Sequence, residues 1–157
     1  VQRIFLPRKP AGGQAPAESE FDRLQPGTVP AITDLLDRIA HYLSGEDVAF
    51  ELGLLDFAGC TEFTQRVLLA EYGIPRGYVS TYGRMARHLG VDGGARAVGN
   101  ALARNPFPIV IPCHRAVRAD GVLGGYQGGT EMKRALLLME GVDVSEAGRV
   151  VGASYYY

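Results

Sequence analysis

The stretch PIVIPCHR, residues 108–115, places one of the two cysteines of the chain directly before a histidine. A short apolar run leads into this pair, and a glycine-rich segment, GGYQGG at residues 124–129, follows it. A thiolate is a much stronger nucleophile than a thiol, and a neighbouring imidazole that takes the proton is a common way to generate one near neutral pH. The sequence therefore predicts a nucleophilic Cys113 with His114 as its candidate base.

Length and composition indicate one compact domain, or one domain with a small appendage. The chain has 157 residues, of which 46% are hydrophobic, and this is enough to bury a core. No apolar run is long enough to cross a bilayer, and residues 1–10 lack the apolar segment of a signal peptide. We therefore expect an intracellular protein, cytoplasmic and nucleoid-associated in a prokaryote or nuclear in a eukaryote.

The few cysteines and histidines argue against a metal site. Cys60 and Cys113 do not form a disulfide framework, and they are too few for a cysteine-based zinc site. The three histidines, at positions 41, 88 and 114, show no ligand-like clustering. We expect neither a metal nor another cofactor.

The net charge of −1 conceals a basic middle third. Residues 61–118 contain eight arginines against three acidic residues, and the segments on both sides are acidic. Such a cluster is typical of a surface that contacts a phosphate backbone. A solvated surface with chance clustering explains it as well, so charge alone leaves both interpretations open.

Apolar residues at helical spacing predict five helices: one of about three to four turns with Pro30 near its start and Gly45 just past its end, and four over about residues 62–72, 81–89, 95–103 and 131–140. Ser80 is the expected N-cap of the third helix. We also expect short strands at residues 3–6 and 48–52, and a loop over residues 7–30, which contain five prolines. Residues 142–157 show no clear period.

The third and fourth predicted helices form a helix-turn-helix pattern around the glycine-containing turn at residues 90–94. The fourth helix is slim, because small residues occupy positions 95, 97, 99 and 101. Small side chains let a helix approach another surface closely. Packing against a neighbouring helix is the commoner reason for them, and contact with DNA is the alternative.

Several motifs occur in a fixed order: Tyr82, ARAVG at residues 95–99, Asn105–Pro106, IPCHR at residues 111–115, GYQGG at residues 125–129, and Glu140–Gly141. In their order and spacing they resemble the O6-alkylguanine-DNA alkyltransferases, or methylated-DNA–protein-cysteine methyltransferases, over roughly residues 30–141. Members of that family repair DNA by moving an alkyl group from guanine to their own cysteine, once per molecule.

The resemblance implies an α+β fold, with a small and reduced N-terminal α/β part before a mainly helical C-terminal domain. We expect the N-terminal part to span residues 1–58, and a catalytic and DNA-binding domain to span residues 59–145. The helix-turn-helix would occupy about residues 81–104, and residues 146–157 would form a C-terminal tail. A tryptophan common in the second helix of the family is Leu69 here, which we expect to affect packing rather than chemistry.

The resemblance also assigns the chemical roles. Cys113 would accept the alkyl group, with His114 as a base acting through a water molecule and Glu140 as the residue that orients the imidazole. Tyr82 would donate a proton or hydrogen bond to the guanine ring, and Asn105 would be a buried hinge. Sequence alone shows only that these residue types are present. Taken singly, Asn105 fits a helix C-cap and Glu140 a surface residue.

The same resemblance predicts the DNA interface and the base pocket. Arg96 would enter the gap that an extrahelical guanine leaves, and the slim helix would lie in the minor groove. The predicted DNA contacts are Arg96, Ala95, Ala97, Gly99 and Arg115, while Arg84, Arg87 and Arg104 stay unranked. The predicted pocket residues are Tyr126, Gly124, Gly125, Gln127 and Pro108; Gln127 replaces a smaller residue and is expected to alter which alkyl groups fit.

Three alternatives to a single-turnover alkyltransferase stay open. One is a non-enzymatic lesion sensor of the alkyltransferase-like type, although such relatives lack the cysteine that this chain has at position 113. A hydrolytic cysteine enzyme would not explain the Arg96 helix, and a plain helix-turn-helix protein would leave the cysteine incidental. The expected partner is double-stranded DNA that contains O6-alkylguanine. We expect the protein to be a monomer and not to associate with a membrane.

Overall fold

The computed structural model describes residues 1–6 and 30–157. Within these ranges the chain forms five α-helices and three short strands. The helices are α1 (Pro30–Leu43), α2 (Glu62–Tyr72), α3 (Tyr82–His88), α4 (Ala95–Ala103) and α5 (Thr130–Met139), and the strands are β1 (Tyr78–Thr81), β2 (Ala116–Val117) and β3 (Ser154–Tyr155). The predicted α+β class is confirmed.

All five predicted helices are present, and the ends of the four with predicted bounds differ from the predictions by at most one residue. The predicted N-cap of α3 is the main correction. The hydroxyl of Thr81, not that of Ser80, accepts a hydrogen bond from the amide of Arg84 and caps the helix. Ser80 instead lies in β1 and donates its hydroxyl to the Tyr156 carbonyl. The predicted cap is wrong because the strand continues one residue further than the helical pattern suggests.

Both predicted N-terminal strands are wrong. Residues 3–6 lie in an irregular segment, anchored where the Ile4 amide donates to the Pro106 carbonyl. Residues 48–50 are also irregular, and Leu52–Leu54 form a 3₁₀ turn. Alternating apolar residues do not make a strand unless a neighbouring strand supplies hydrogen bonds. The loop predicted for residues 7–30 lies, apart from Pro30, outside the described residues.

The small parallel sheet has the order β2-β1-β3. β1 pairs with β2 through Ser80 opposite Ala116, and with β3 through Tyr78 opposite Ser154. β1 runs directly into α3, and β2 directly follows the turn that carries Cys113. The pairing of these two strands therefore brings Tyr82, at the start of α3, close to the cysteine turn.

The hydrophobic core joins the N-terminal helix to the rest of the described chain. Leu35 and Tyr42 of α1 pack in the same cluster as Val67 and Leu68 of α2 and Ile111 beside the cysteine turn. None of the helices in residues 30–157 is both long enough and apolar enough to span a membrane.

Candidate active site

Cys113 begins a single 3₁₀ turn, Cys113–Arg115, and faces a pocket. The Arg115 amide donates to the Pro112 carbonyl across this turn, and the Cys113 amide donates to the Ile111 carbonyl just before it. Ile109, just before it, has a φ of 75°, a region that costs a β-branched residue about 1–3 kcal/mol and needs support from its surroundings. Cys113 is only 6% exposed, so its thiol is reached through the pocket.

The pocket has a volume of about 370 Å³, which lies within the range of small-molecule sites. It lies between α4, the start of α3 and the glycine-rich loop. Its lining residues are Tyr82, Gly99, Leu102, Ala103, Cys113, Gly125, Tyr126 and Gln127. Three of the five predicted pocket residues therefore line it.

The other two predicted pocket residues do not line this pocket. Gly124 lies behind it, where a Cβ atom would come 3.2 Å from the hydroxyl of Tyr82, and its φ of +69° favours glycine. Pro108 is buried and forms an isolated bridge with Ile111, so it supports the strained approach to the cysteine turn. Gly99, predicted to face DNA, instead lines the pocket beside the Tyr82 ring.

Glu140 lies at the centre of a buried polar cluster behind Cys113. Its Oε1 atom accepts hydrogen bonds from His114 Nε2 at 3.1 Å, from the Tyr42 hydroxyl at 2.6 Å and from an Arg115 terminal nitrogen at 2.6 Å. Its Oε2 atom accepts from Arg115 Nε at 2.9 Å. Burial alone would raise the pKa of Glu140, but the hydrogen bonds from His114 and Arg115 outweigh it and hold the pKa well below its usual range.

This arrangement fixes which nitrogen of His114 can act as a base. A carboxylate only accepts, so the contact with Glu140 favours the tautomer that carries the hydrogen on Nε2. Nδ1 is buried and has no hydrogen-bond partner among the described residues. Burial lowers the pKa of His114, so the ring is neutral near pH 7 and Nδ1 has a free lone pair.

The predicted role of Arg115 in DNA binding is not supported. Each of its three nitrogens already donates, two of them to Glu140 and the third to the Ile74 carbonyl. Only 11% of the side chain is exposed, so little of the guanidinium is open to a phosphate. Arg115 instead neutralises the buried Glu140, as a buried carboxylate requires.

Asn105 connects the end of α4 to the cysteine turn. Its Nδ2 donates to the Ile111 carbonyl at 3.0 Å, and its Oδ1 accepts from the Phe107 amide at 2.9 Å. Burial raises the pKa of the Cys113 thiol to about 12, and a hydrogen bond from Asn105 opposes this shift only in part. The unliganded site therefore holds a neutral thiol, and forming the thiolate requires a base.

A second buried ionisable pair, Glu71 and Lys133, lies near Cys113. Lys133 is fully buried and donates to the Ala116 carbonyl at 2.6 Å. Glu71 is 0% exposed, and neither of its carboxyl oxygens has a hydrogen-bond partner within the described residues; the Ala116 amide is near but outside bonding geometry. Burial raises the pKa of Glu71 to about 8 and lowers the pKa of Lys133 to about 8.

Tyr42, Glu71 and Lys133 are not among the predicted site residues, although the sequence carries a signal for each of them. Tyr42 follows the buried Leu35 by seven residues, Glu71 follows the buried Val67 by four, and Lys133 precedes the buried Leu137 by four. These spacings put each polar residue on the buried face of its helix. A charged residue on an apolar face is unusual enough to mark a buried cluster.

Two phenols face the pocket. Tyr82 is half-buried, and burial raises its pKa to about 12, so it remains a hydrogen-bond donor at neutral pH. The hydroxyl of Tyr126 is buried without a partner among the described residues, and its ring lies edge-on to His114 at 6.2 Å. Gln127 closes one side of the pocket, where its Nε2 donates to the Asn105 carbonyl at 2.7 Å.

The helix-turn-helix pair presents exposed arginines in α3, in α4 and directly after α4, with small residues beside the arginine of α4. α3 and α4 pack against each other and against α2. Arg96 and Ala97 are exposed and Ala95 is half-buried, on the first turn of α4. The unranked arginines differ in their availability to DNA. Arg84 donates to the Tyr157 carbonyl. Arg87 and Arg104 are exposed and, like Arg96, make no hydrogen bond or ion pair with the described residues.

Comparison with known proteins agrees with this arrangement. A family model described as "6-O-methylguanine DNA methyltransferase, DNA binding domain" matches residues 62–142, which include Tyr82, Arg96, Cys113 and Glu140. The chain belongs to the 6-O-methylguanine DNA methyltransferase family. The resemblance seen in the sequence motifs is thereby confirmed.

Members of this family with high similarity include a methylated-DNA–protein-cysteine methyltransferase of Methanothermobacter thermautotrophicus, 53% identical over 73% of this chain and 64% of the relative. The crystal structure of Mycobacterium tuberculosis OGT in complex with DNA matches with a TM-score of 0.65 at 44% identity, over 69% of this chain and 66% of that one. A crystal structure of the M. tuberculosis O6-methylguanine methyltransferase matches with a TM-score of 0.61 at 37% identity, over 82% and 79%. The chain thus spans just under two thirds of the length of the first of these relatives.

Proposed function

We propose that this chain is a DNA repair protein that transfers the alkyl group of O6-alkylguanine in DNA irreversibly to Cys113. The observation that carries the proposal is that Cys113 lines a pocket of about 370 Å³. This pocket lies between α4, the second helix of the helix-turn-helix pair, and the glycine-rich loop. Family membership supports it, as does the DNA complex of the M. tuberculosis relative.

The proposed reaction is a displacement at the alkyl carbon. The bond from carbon to O6 of guanine breaks as the bond from carbon to Sγ of Cys113 forms. The thiol gives its proton through a bridging water to Nδ1 of His114, and Tyr82 donates a proton to the departing guanine. The guanine gains one proton for the one that the thiol loses. The proton held by His114 then returns through water to the Tyr82 oxygen, so no co-reactant is needed. The product is a thioether, which water does not readily cleave, and each chain reacts once.

The proposed polar groups suit this chemistry. The carboxylate of Glu140 stabilises the imidazolium that forms when His114 accepts the proton, as in other nucleophile–base–acid sets. A phenol that stays protonated up to about pH 12 can donate to a leaving group at neutral pH. The neutral thiol of the resting protein implies that proton transfer and alkyl transfer are coupled in the complex with substrate.

We propose that the DNA-binding element is α4, lying in the minor groove of a duplex whose damaged base is turned out into the pocket. Arg96 is exposed without a partner among the described residues, and its planar guanidinium can stack in the gap that the base leaves. Arg87 and Arg104 are the arginines available to contact phosphates, with Asn105 linking the end of α4 to the cysteine turn. Ala95 and Ala97 would allow close approach.

The lesion-sensor alternative is not favoured, since curated relatives are named methyltransferases and the cysteine is present. A direct test separates the alternatives: incubate the protein with a duplex containing O6-methylguanine, then measure the intact mass and the peptide masses. We expect one methyl group per chain, on the peptide that contains Cys113, and no further turnover. Binding without a mass change would indicate a sensor, and repeated turnover of an ester or amide would indicate a hydrolase.

Cysteine variants locate the acceptor. Cys113→Ser should bind the lesion without gaining mass, whereas Cys60→Ser, which changes the other cysteine, should react like the unaltered protein. Cys60 is half-buried and lies outside the pocket, so it is a matched control. Transfer retained by Cys113→Ser would remove Cys113 from the mechanism.

An arginine pair tests the proposed DNA geometry. Arg96→Ala should slow transfer from duplex DNA but change the reaction with free O6-benzylguanine much less. Arg104→Ala should weaken DNA binding and reduce the slope of log affinity against log salt by about one, without changing the rate at saturating DNA. Equal losses on both substrates for Arg96→Ala would contradict its role at an extrahelical base.

A further inference from the structure

Tyr42 of α1 reaches the polar cluster behind the nucleophile. It is buried, and its hydroxyl lies 2.6 Å from Glu140 Oε1 and 3.1 Å from His114 Nε2. Both partners are distant in sequence, by 98 and 72 residues. α1 lies outside residues 62–142, the part of the chain that the family model covers. A helix with no pocket residue therefore contributes a polar atom to the acid–base set.

The hydrogen-bond directions follow from the groups involved. A phenol has one hydrogen, and the short contact to the Glu140 carboxylate uses it. The lone pairs of the Tyr42 oxygen are then left to face His114 Nε2. Two acceptors, Glu140 Oε1 and the Tyr42 oxygen, thus surround Nε2 at 3.1 Å each. An unprotonated Nε2 would face both with its own lone pair, which is strongly unfavourable in a buried site.

The ring of Tyr42 is itself held in place. It packs edge-on against Phe50 with the ring centroids 5.8 Å apart, and the Arg76 guanidinium lies 5.9 Å from its centroid. Arg76 in turn donates to the carbonyl of Gly45, just after α1, and to the carbonyl of Met139, the last residue of α5. The hydroxyl is therefore presented by a fixed scaffold.

We propose that Tyr42 is a positioning residue for alkyl transfer: it holds His114 as the Nε2–H tautomer and so keeps Nδ1 free to take the thiol proton. The inference rests on the proposed function for its kinetic consequence, but the tautomer itself is independent of it. Tyr42 does not touch the pocket, so it acts through His114 and Glu140.

Tyr42→Phe tests the proposal, because it removes only the hydroxyl and keeps the ring that packs on Phe50. In ¹⁵N NMR spectra of the ring nitrogens, the unaltered protein should show His114 protonated at Nε2. The variant should show an increased fraction of the Nδ1–H form. Its rate constant for single-turnover transfer from O6-methylguanine DNA should fall about tenfold, which is the size expected for one buried hydrogen bond, with DNA affinity unchanged.

Tyr72→Phe is the matched control. Tyr72 also donates a partly buried hydroxyl, to the Phe50 carbonyl, but it does not contact His114 or Glu140. The control should leave both the tautomer and the transfer rate unchanged, even if it lowers stability. The proposal is overturned if the unaltered protein shows His114 protonated at Nδ1, if Tyr42→Phe behaves like the unaltered protein, or if the control slows transfer equally.

These outcomes are distinct from a failure of the proposed function. If the unaltered protein gains no mass at Cys113, the alkyl-transfer proposal fails, and the NMR measurement still decides whether Tyr42 sets the tautomer. If Tyr42→Phe does not fold, the spectrum of the unaltered protein alone can contradict the inference.

Discussion

Glu140 and Glu71 are both buried near the cysteine turn, yet their surroundings are opposite. Glu140 accepts four hydrogen bonds, from His114, Tyr42 and Arg115, and its pKa lies well below the usual range. Glu71 accepts none from the described residues, and burial raises its pKa to about 8. Burial alone pushes both carboxyls toward the neutral form. The hydrogen bonds from His114 and Arg115 outweigh burial at Glu140, whereas the nearby charges of Lys133 and Arg115 do not outweigh it at Glu71.

The two glutamates therefore have different consequences for the site. Glu140 is a fixed negative charge, which suits a group that must stabilise an imidazolium on His114. Glu71 is neutral at pH 7 and shares its surroundings with the ammonium group of Lys133, which leaves a net positive charge near the Cys113 sulfur. A positive charge favours the thiolate, so both clusters assist the nucleophile by different means.

The largest expected effect comes from Glu140→Gln, which removes the charge but keeps the shape. It leaves Arg115 buried without its counter-ion, so the free energy of unfolding should fall by about 3–5 kcal/mol in urea titrations. Transfer should slow by about a hundredfold or more, because His114 loses the carboxylate that supports its protonation. Glu46→Gln, in an exposed pair with His41, is the control and should change little. A small loss for Glu140→Gln would mean that its charge is dispensable.

The second prediction concerns the pH dependence of stability. The pKa of Glu71 is higher in the folded chain, at about 8, than the ordinary value of 4.5, so the folded state holds its proton more tightly. Its contribution to stability is therefore complete below pH 4.5 and is lost as the pH rises toward 8. Glu140 has the opposite sign, since its pKa is lowered: its contribution is present above pH 4.5 and is lost on acidification.

Urea titrations from pH 5 to 8 measure this difference. The unaltered protein should lose stability relative to Glu71→Gln across the range, with a limiting slope of about 1.4 kcal/mol per pH unit for one proton. Glu62→Gln, at the exposed start of the same helix, should run parallel to the unaltered protein. Parallel curves for Glu71→Gln would show that Glu71 is ionised throughout.

The two glutamates also differ in whether the sequence predicted them as site residues: Glu140 was predicted and Glu71 was not. Helical spacing predicted all five helices, because each has an apolar face and a clear start or stop signal. The Cys113–His114 pair and the family motifs predicted the nucleophile and the base, and they predicted Glu140 as the partner of the imidazole, which the structure shows as a hydrogen bond to His114. These features are local, or belong to an order of motifs, and need no knowledge of distant contacts.

What the sequence did not predict depends on contacts between distant segments. Arg115 looks like a free surface charge until Glu140, 25 residues away, is placed beside it. The short strands are stabilised by partners as far away as residues 154–155, and the positive φ of Ile109 is held by the buried structure around it. Neither periodicity nor a motif specifies such pairings, so Tyr42 and Glu71 could be placed only in the folded chain.

The third prediction tests whether Glu71 and Lys133 act as a pair. Glu71→Leu removes the carboxyl that lies near the buried Lys133 ammonium, and Lys133→Met removes one of the two cations near that carboxyl, the other being Arg115, so each single change should destabilise the fold. The double variant removes both desolvation penalties, and should be about 1–4 kcal/mol more stable than either single variant. A double-mutant cycle measured by urea unfolding gives the coupling. Additive effects would show that the two groups do not interact.

The smallest expected effect is that of Glu71→Gln on alkyl transfer at pH 7. With a pKa of about 8 the Glu71 carboxyl is mostly protonated there, so a neutral amide of the same shape should change the single-turnover rate by no more than about twofold. Glutamine offers donors and an acceptor much like those of a protonated carboxyl, and Lys133 keeps its contact with the Ala116 carbonyl. The same substitution at Glu140 is expected to be severe, so the two variants, assayed together on one duplex, compare the two glutamates directly. A tenfold gain in rate for Glu71→Gln at pH 7, with no loss of stability, would mean that Glu71 is charged beside the thiol, because removing a negative charge there favours the thiolate. The protonation states assigned to the two clusters would then be wrong.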